Sequence, residues 1–200
     1  MSSAASDKRQ YRMVARAEAA SATRERLLAS AWRHFSELPF DDVRLSKVAG
    51  DAKVSAQTLH AHFKTKDALF VAAWGRRMTP EGTRRDHAPV GDVRAAVRVL
   101  YDSYDADGDA VLRLLAQEER IPAVHEMAEA GRLWHRGWVE RTLGPLLDGL
   151  SGAQRERRLV ALVVATDLLV WKLLRREMGL GRREAEQIVA EMVTSSRGTD

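Results

Sequence analysis

Apolar residues recur at helical spacing along most of the 200-residue chain. Leu27, Ala31, Phe35 and Leu38 make one inward stripe, flanked by Leu28 and Trp32. Thr23 is placed to cap that helix, and Pro39 to end it, because proline disfavours helical backbone in the residue before it. Leu45, Val48, Ala49 and Ala52 repeat the spacing i, i+3, i+4, i+7, the mark of one buried helical face. A turn at Asp51–Val54 follows, then Leu59 and Phe63 on a second short helix. Leu69, Phe70, Ala73 and Trp74 open a fourth. The stretch 79–91, TPEGTRRDHAPVG, carries proline and glycine and is expected to be a loop at a domain boundary. Beyond it the pattern predicts a helix from Asp92 through Tyr104, a turn at Asp105–Asp109, and a helix to about Arg120. A long helix over 123–147, kinked at Gly144-Pro145, comes next. The apolar run Gln154–Met178 and a final helix, Arg182–Val193, close the chain. Alternating β-type patterns are absent, so the fold class is all-α.

Residues 43–69 carry the chemistry. Ser55 has the position of an N-cap, its hydroxyl accepting from the free amides of the following turn. Val54 and Leu59 have the spacing of a hydrophobic staple. With Leu59 and Phe63 turned inward, Ala56, Gln57, Thr58, His60, Ala61 and His62 are left toward solvent or a ligand. Two short helices joined this way form a helix-turn-helix, whose second helix can enter the DNA major groove. Gln57 lies in the first turn, the part that reaches base edges, and its amide matches adenine N6 and N7. Thr58, His60 and His62 can bond bases or phosphates. The alternatives are that Thr58 caps its own helix and that His62, beside Phe63, is partly buried. Lys64 and Lys66, at a helix start, suit phosphate.

Val48-Ala49, Val54-Ser55, Thr58-Leu59, His62-Phe63 and Lys66-Asp67 with Leu69 resemble, in register, the DNA-binding segment of the tetracycline-repressor (TetR) family of bacterial transcription regulators. Leu28, Ala31, Phe35 and Phe40 extend the likeness upstream, so it covers about the first third of the chain. Lys53 stands where the family usually has glycine, Arg44 where a capping Thr or Ser is common, Pro39 where glycine is common, and His60 where Tyr is frequent. The resemblance implies a three-helix DNA-binding domain at residues 23–68, preceded by a flexible basic arm at 1–22. It also implies a helical effector-binding and dimerisation domain at 69–200. Arg44, Ser55, Ala56, Gln57, Thr58, His60, His62, Lys64 and Lys66 become the DNA-contact candidates. The fourth helix would carry the regulatory signal, and the last two helices would pair a homodimer. Completing a monomer core is the alternative use of those helices.

Charge adds to this picture. Residues 1–78 hold 14 Lys/Arg against 8 Asp/Glu, a net of +6, while residues 79–200 sum to −2. A basic part on a near-neutral remainder suits a polyanionic partner. Lys8, Arg9, Arg12 and Arg16 place part of that charge in the first 22 residues, which read either as a disordered tail or as an arm reaching phosphates or a minor groove. The chain has no cysteine, no apolar run of membrane-spanning length and no secretory leader pattern, which fits a cytoplasmic protein.

In the second part, Tyr101, Tyr104, Trp134, Trp138 and Trp171, with Met127, are candidates to line an apolar effector cavity. Arg113, Arg120 and His135 are candidates to orient a polar group in it. Aromatics at such spacing serve equally as plain core. No phosphate loop, HExxH or GxSxG occurs, and an enzyme is not expected. Asp105–Asp109 lacks the rest of a calcium loop. Glu118, Glu119, His125, Glu126 and Glu129 describe an exposed helix flank as well as a metal site, so neither metal nor cofactor is expected. The sequence therefore reads as a DNA-binding regulator, most simply a repressor released by a small molecule. The alternative is a regulator or adaptor of the same fold that works through protein contacts.

Overall fold

The computed structural model describes residues 3–195, and all of their side chains except those of 3–9, 11, 12, 80, 81 and 83. Among the described residues every regular element is helical. The chain divides into two compact units, residues 1–77 and 78–200.

The first unit holds α1 (Ser3–Glu37), α2 (Leu45–Asp51), α3 (Ala56–His62) and the start of α4 (Lys66–Asp86). Of the arm expected at 1–22, residues 1 and 2 lie outside the described residues, and 3–22, with Thr23 expected as a cap, lie inside one 35-residue α1. The segment is Ala-rich and lacks an internal breaker, so nothing in it interrupts the helix that begins the core stripe. Leu27, Leu28, Ala31 and Phe35 are buried from α1, Val48 and Ala49 from α2, Leu59 from α3, and Leu69, Phe70 and Ala73 from α4. Phe35, Phe40 and Phe70 meet with ring centroids 5.1–5.5 Å apart. Offset and edge-on aromatic contacts of this kind add to the area they bury. The cluster ties the end of α1, the single turn Phe40–Asp42 and α4 together. About the first three turns of α4 thus belong to the N-terminal unit, and its division from the second falls at 77/78 rather than at 68/69 or in 79–91. Pro80 lies within α4, and the stretch expected as a loop is helical to Asp86.

The second unit is built from the end of α4, α5 (Val93–Leu115), α6 (Pro122–Thr142), α7 (Gly152–Ala165), α8 (Leu168–Lys172) and α9 (Arg182–Ser195). The turn expected at Asp105–Asp109 does not form; α5 runs straight through it. Partners distant in sequence hold these acidic residues. The Trp171 indole N–H donates to Asp105 at 2.9 Å, and Arg176 makes a forked pair with Asp109 at 3.0 Å. Tertiary contact here overrides a weak local preference.

The helix α6 opens with Pro122 at its first position, where proline's missing N–H leaves no bond unmade. It ends at Thr142, short of the expected 147, and Gly144–Leu147 form a separate 3₁₀ turn. The single helix expected over Gln154–Met178 is broken at Thr166-Asp167. Asp167 caps α8, accepting from Leu169 N–H at 2.8 Å. A π turn, Leu173–Glu177, then closes with Met178 N–H on Leu173 C=O. Leu159, Leu162, Trp171 and Leu174 are in the core, whereas Val160, Val164, Leu169 and Leu173 are exposed, Leu169 by 61%.

Candidate nucleic-acid interface and effector region

The helix-turn-helix forms from the expected residues. Ser55 caps α3, its Oγ accepting from Thr58 N–H at 3.1 Å. The turn before it is set by Lys53, which adopts φ +57°, the left-handed region that glycine occupies without strain. Lys53 N–H and Val54 N–H return to Gly50 and Ala49 carbonyls. On the other side α2 is tied to α1 by polar contacts that the apolar pattern does not reveal. Ser30 Oγ donates to Val48 C=O at 3.0 Å and Arg26 Nε to Ala52 C=O at 3.2 Å. Asp51 pairs with Arg33 at 2.6 Å and with His34 at 2.9 Å, and the bond to His34 does most to hold its carboxyl below the usual range.

The candidates for DNA contact fall into two groups. Arg44, Ala56, Gln57, His60 and Lys64 are exposed, on the start of α2 and along α3. The others are at least partly engaged. Ser55 and Thr58 bond each other and the cap, and Thr58 is half-buried. His62 is half-buried beside Phe63, with ring centroids 6.3 Å apart. Lys66 departs furthest from expectation. Its Nζ donates to Asp41 C=O at 3.1 Å and sits 4.9 Å from the centre of the Phe40 ring. Desolvation there lowers its pKa. The cap of α4 is Thr65, accepting from Ala68 N–H, a role the apolar pattern does not signal.

In the second unit, four of the five candidate cavity residues are core. Tyr101, Tyr104, Trp138 and Trp171 are each at most 8% exposed. Three of them engage their polar atom inside the unit. Tyr104 Oη donates to Thr166 C=O, Trp138 Nε1 to Arg85 C=O, and Trp171 Nε1 to Asp105. Burial pushes both tyrosine hydroxyls up to about 12. Trp134 is the exception, 38% exposed.

Around it stands a polar group of which the sequence pattern signals only His135. The Arg85 guanidinium lies between the rings of Tyr104 and Trp134, 5.0 and 5.1 Å from their centres, and donates to Ser103. Arg85 is hidden in the sequence because 79–91 has the composition of a loop. His135 is buried, and desolvation with the nearby Arg85 charge lowers its pKa to about 4. The ring is therefore neutral at pH 7. Thr166 Oγ1 already donates to Leu162 C=O, so it accepts from His135 Nε2–H across 3.1 Å, which leaves Nδ1 as an acceptor with no hydrogen-bond partner.

Arg113 and Arg120 are exposed. Glu118 is bound by Arg132, with His125 Nδ1 at 3.5 Å, in a surface ion network. Among the described residues no three metal-ligating side chains converge, and no helix is long and apolar enough to cross a membrane.

Residues 27–73 match the family model described as bacterial regulatory proteins, tetR family. No curated protein sequence matches the chain. Among solved structures, a transcriptional regulator from Rhodococcus sp. Rha1 superposes with a TM-score of 0.67 at 19% identity, over 86% of this chain and 94% of that one. SmeT in a complex with triclosan gives 0.67 at 19%, over 90% and 93%. A regulator from Saccharomonospora viridis in complex with choline gives 0.66 at 18%, over 88% and 97%. These likenesses establish the fold: an N-terminal helix-turn-helix domain followed by a helical domain.

Proposed function

We propose that this chain, a member of the tetR family of bacterial regulatory proteins through residues 27–73, is a sequence-specific transcriptional repressor that acts as a homodimer and leaves its operator when a small molecule binds. The observation that carries the reading is the face of α3. Leu59 and Phe63 are buried while Gln57, His60 and Lys64 are exposed on or just beyond the same short, Ser-capped helix. That is the division of labour of a recognition helix. Gln57 reads a base, and Arg44, His60 and Lys64 fix register through phosphate or groove contacts. Two copies would read a near-palindromic operator with half-sites about one helical turn, ~34–36 Å, apart or a multiple of it.

Support for an effector comes from the Arg85, Trp134 and His135 group. It offers a buried cation, an aromatic face and an unpartnered acceptor within one helical unit. Relatives of this fold were solved with triclosan and with choline. An effector would regulate only if it bound the non-operator arrangement more tightly than the other. Because Tyr101, Tyr104, Trp138 and Trp171 fill core space, a second reading has its own support: a regulator of this fold that works through protein contacts and has no effector.

The test is selection of bound duplexes from sheared genomic DNA at two salt concentrations, followed by Gln57→Ala. A near-palindromic site, and a loss of ~1–3 kcal/mol confined to one base position in the variant, are expected. Binding without sequence preference would defeat the reading. Titrating the recovered site with pooled metabolites separates the effector reading from the protein-contact one.

A further inference from the structure

The cations of the first unit divide by what holds them. Arg26 donates to Ala52 C=O, Arg33 pairs with Asp51, Arg76 pairs with Glu25, and Lys66 donates to Asp41 C=O over the Phe40 ring. Arg24 differs. It is exposed on α1, and its guanidinium lies 5.1 Å from the centre of the Phe63 ring. Among the described residues it makes no hydrogen bond and no ion pair.

Position 24 stands one turn before Leu27 and Leu28, both buried, so it continues the inward stripe of α1 to the point where that stripe meets the surface. The ring it covers is buried and belongs to the C-cap of α3. A helix of seven residues is about 10 Å long, close to the major-groove width of about 12 Å. With the first turn of α3 at the base edges, its far end is carried to the phosphate wall of the groove. Arg24 and the exposed Lys64 flank that end.

Stacking holds the guanidinium by its face and leaves its five N–H donors directed outward in one plane. Such a fork meets a phosphate with two parallel bonds. Lys66, the cation whose place in the sequence suits phosphate, already gives a donor to the protein itself.

We propose that Arg24, in place of Lys66, is the phosphate ligand at the C-terminal end of the recognition helix, held ready by the Phe63 ring. This role rests on the DNA-binding reading above. It fixes register on the duplex and adds no sequence information.

The test is the slope of log K against log salt, measured with the full chain on the site recovered by selection and on a scrambled one. Arg24→Met keeps an apolar stem over Phe63 and removes the charge. It should weaken both sites by the same factor and flatten the slope by about 0.9 for each protomer on the DNA. Lys66→Met should leave the slope unchanged. Arg24→Lys keeps the charge but not the planar fork, and should keep the slope at lower affinity. A side chain that only covers Phe63 would change the melting temperature, or affinity at every salt concentration alike, without moving the slope. An unmoved slope in Arg24→Met therefore overturns the role while leaving the helix-turn-helix reading intact. A slope that Lys66→Met flattens as much as Arg24→Met overturns it too. If wild type recovers no site and binds no duplex, the DNA-binding reading itself fails, and the role of Arg24 with it.

Discussion

Trp171 stands against α5 so closely that a Cβ built on Gly108 would lie 2.7 Å from its ring. That approach is what lets the indole N–H reach Asp105, and it seats the largest side chain of α8 in the core. Gly108→Ala should therefore destabilise the protein despite alanine's better helix propensity, by about 1–3 kcal/mol, as for other overpacked sites. Urea unfolding checks this. In a double-mutant cycle with Trp171→Phe the two losses should fall short of additivity, since the smaller ring gives the methyl room. Additive losses would place the constraint elsewhere.

Gly108 also shows where sequence reading reaches its limit. An Asp-x-Asp-Gly-Asp string looks like a turn when only local preferences are weighed. It is helical because Trp171, Arg175 and Arg176, more than sixty residues away, take up the carboxylates of Asp105 and Asp109. The helix-turn-helix unit was legible because its pattern is local: a seven-residue stripe, a capped turn and a second stripe lie within about one helical hairpin. Ser55 and the inward Leu59 and Phe63 needed no knowledge of the rest of the chain. Arg85 did, since its surroundings come from α5 and α6. The aromatic residues of the second unit do recur at helical spacing, but spacing cannot tell a filled core from a cavity wall.

His135 gives a pH dependence with a definite sign. Its folded pKa, about 4, lies below the ordinary value of 6.5 because burial disfavours the imidazolium. The unfolded chain therefore takes up this proton first as pH falls. The stability His135 permits at neutral pH is full above about 6.5 and is lost progressively down to about 4, below which the loss is constant. The difference amounts to roughly 3 kcal/mol. Carboxylates titrate over part of the same range, so the measure is the difference between wild type and His135→Gln. The variant's stability should fall less between pH 6.5 and 4. Parallel curves would mean that the imidazole is accessible to protons in the folded state.

Lys53 carries strain that can be relieved. A non-glycine residue in the left-handed region costs about 1–2 kcal/mol. Lys53→Gly should stabilise the isolated protein by about 0.5–1 kcal/mol after the added freedom of the unfolded chain is subtracted. Lys53→Ala removes the same charge but keeps the strain, and should leave stability nearly unchanged. Thermal unfolding of the two variants separates backbone from charge. If both weaken operator binding alike, the ammonium group was the reason to keep a strained residue at this turn.

The exposed side of the α7–α8 segment bears on assembly. Val160 and Val164 are one turn apart, as are Leu169 and Leu173, and all four are exposed, Val164 by 56%. A run of large apolar residues left open along one segment is what an interface between copies requires. The inner side of the same segment, with Leu162, Trp171 and Leu174, already completes the core of its own unit. Charging the outer side should therefore break association without unfolding the chain. Val164→Glu with Leu169→Glu is expected to shift sedimentation from dimer to monomer, with helical circular dichroism retained. Operator affinity should drop with it, because two linked recognition helices bind far more tightly than one. A variant that remains dimeric would move the interface away from α7 and α8. A wild-type protein that sediments as a monomer would instead leave this apolar face to a different partner.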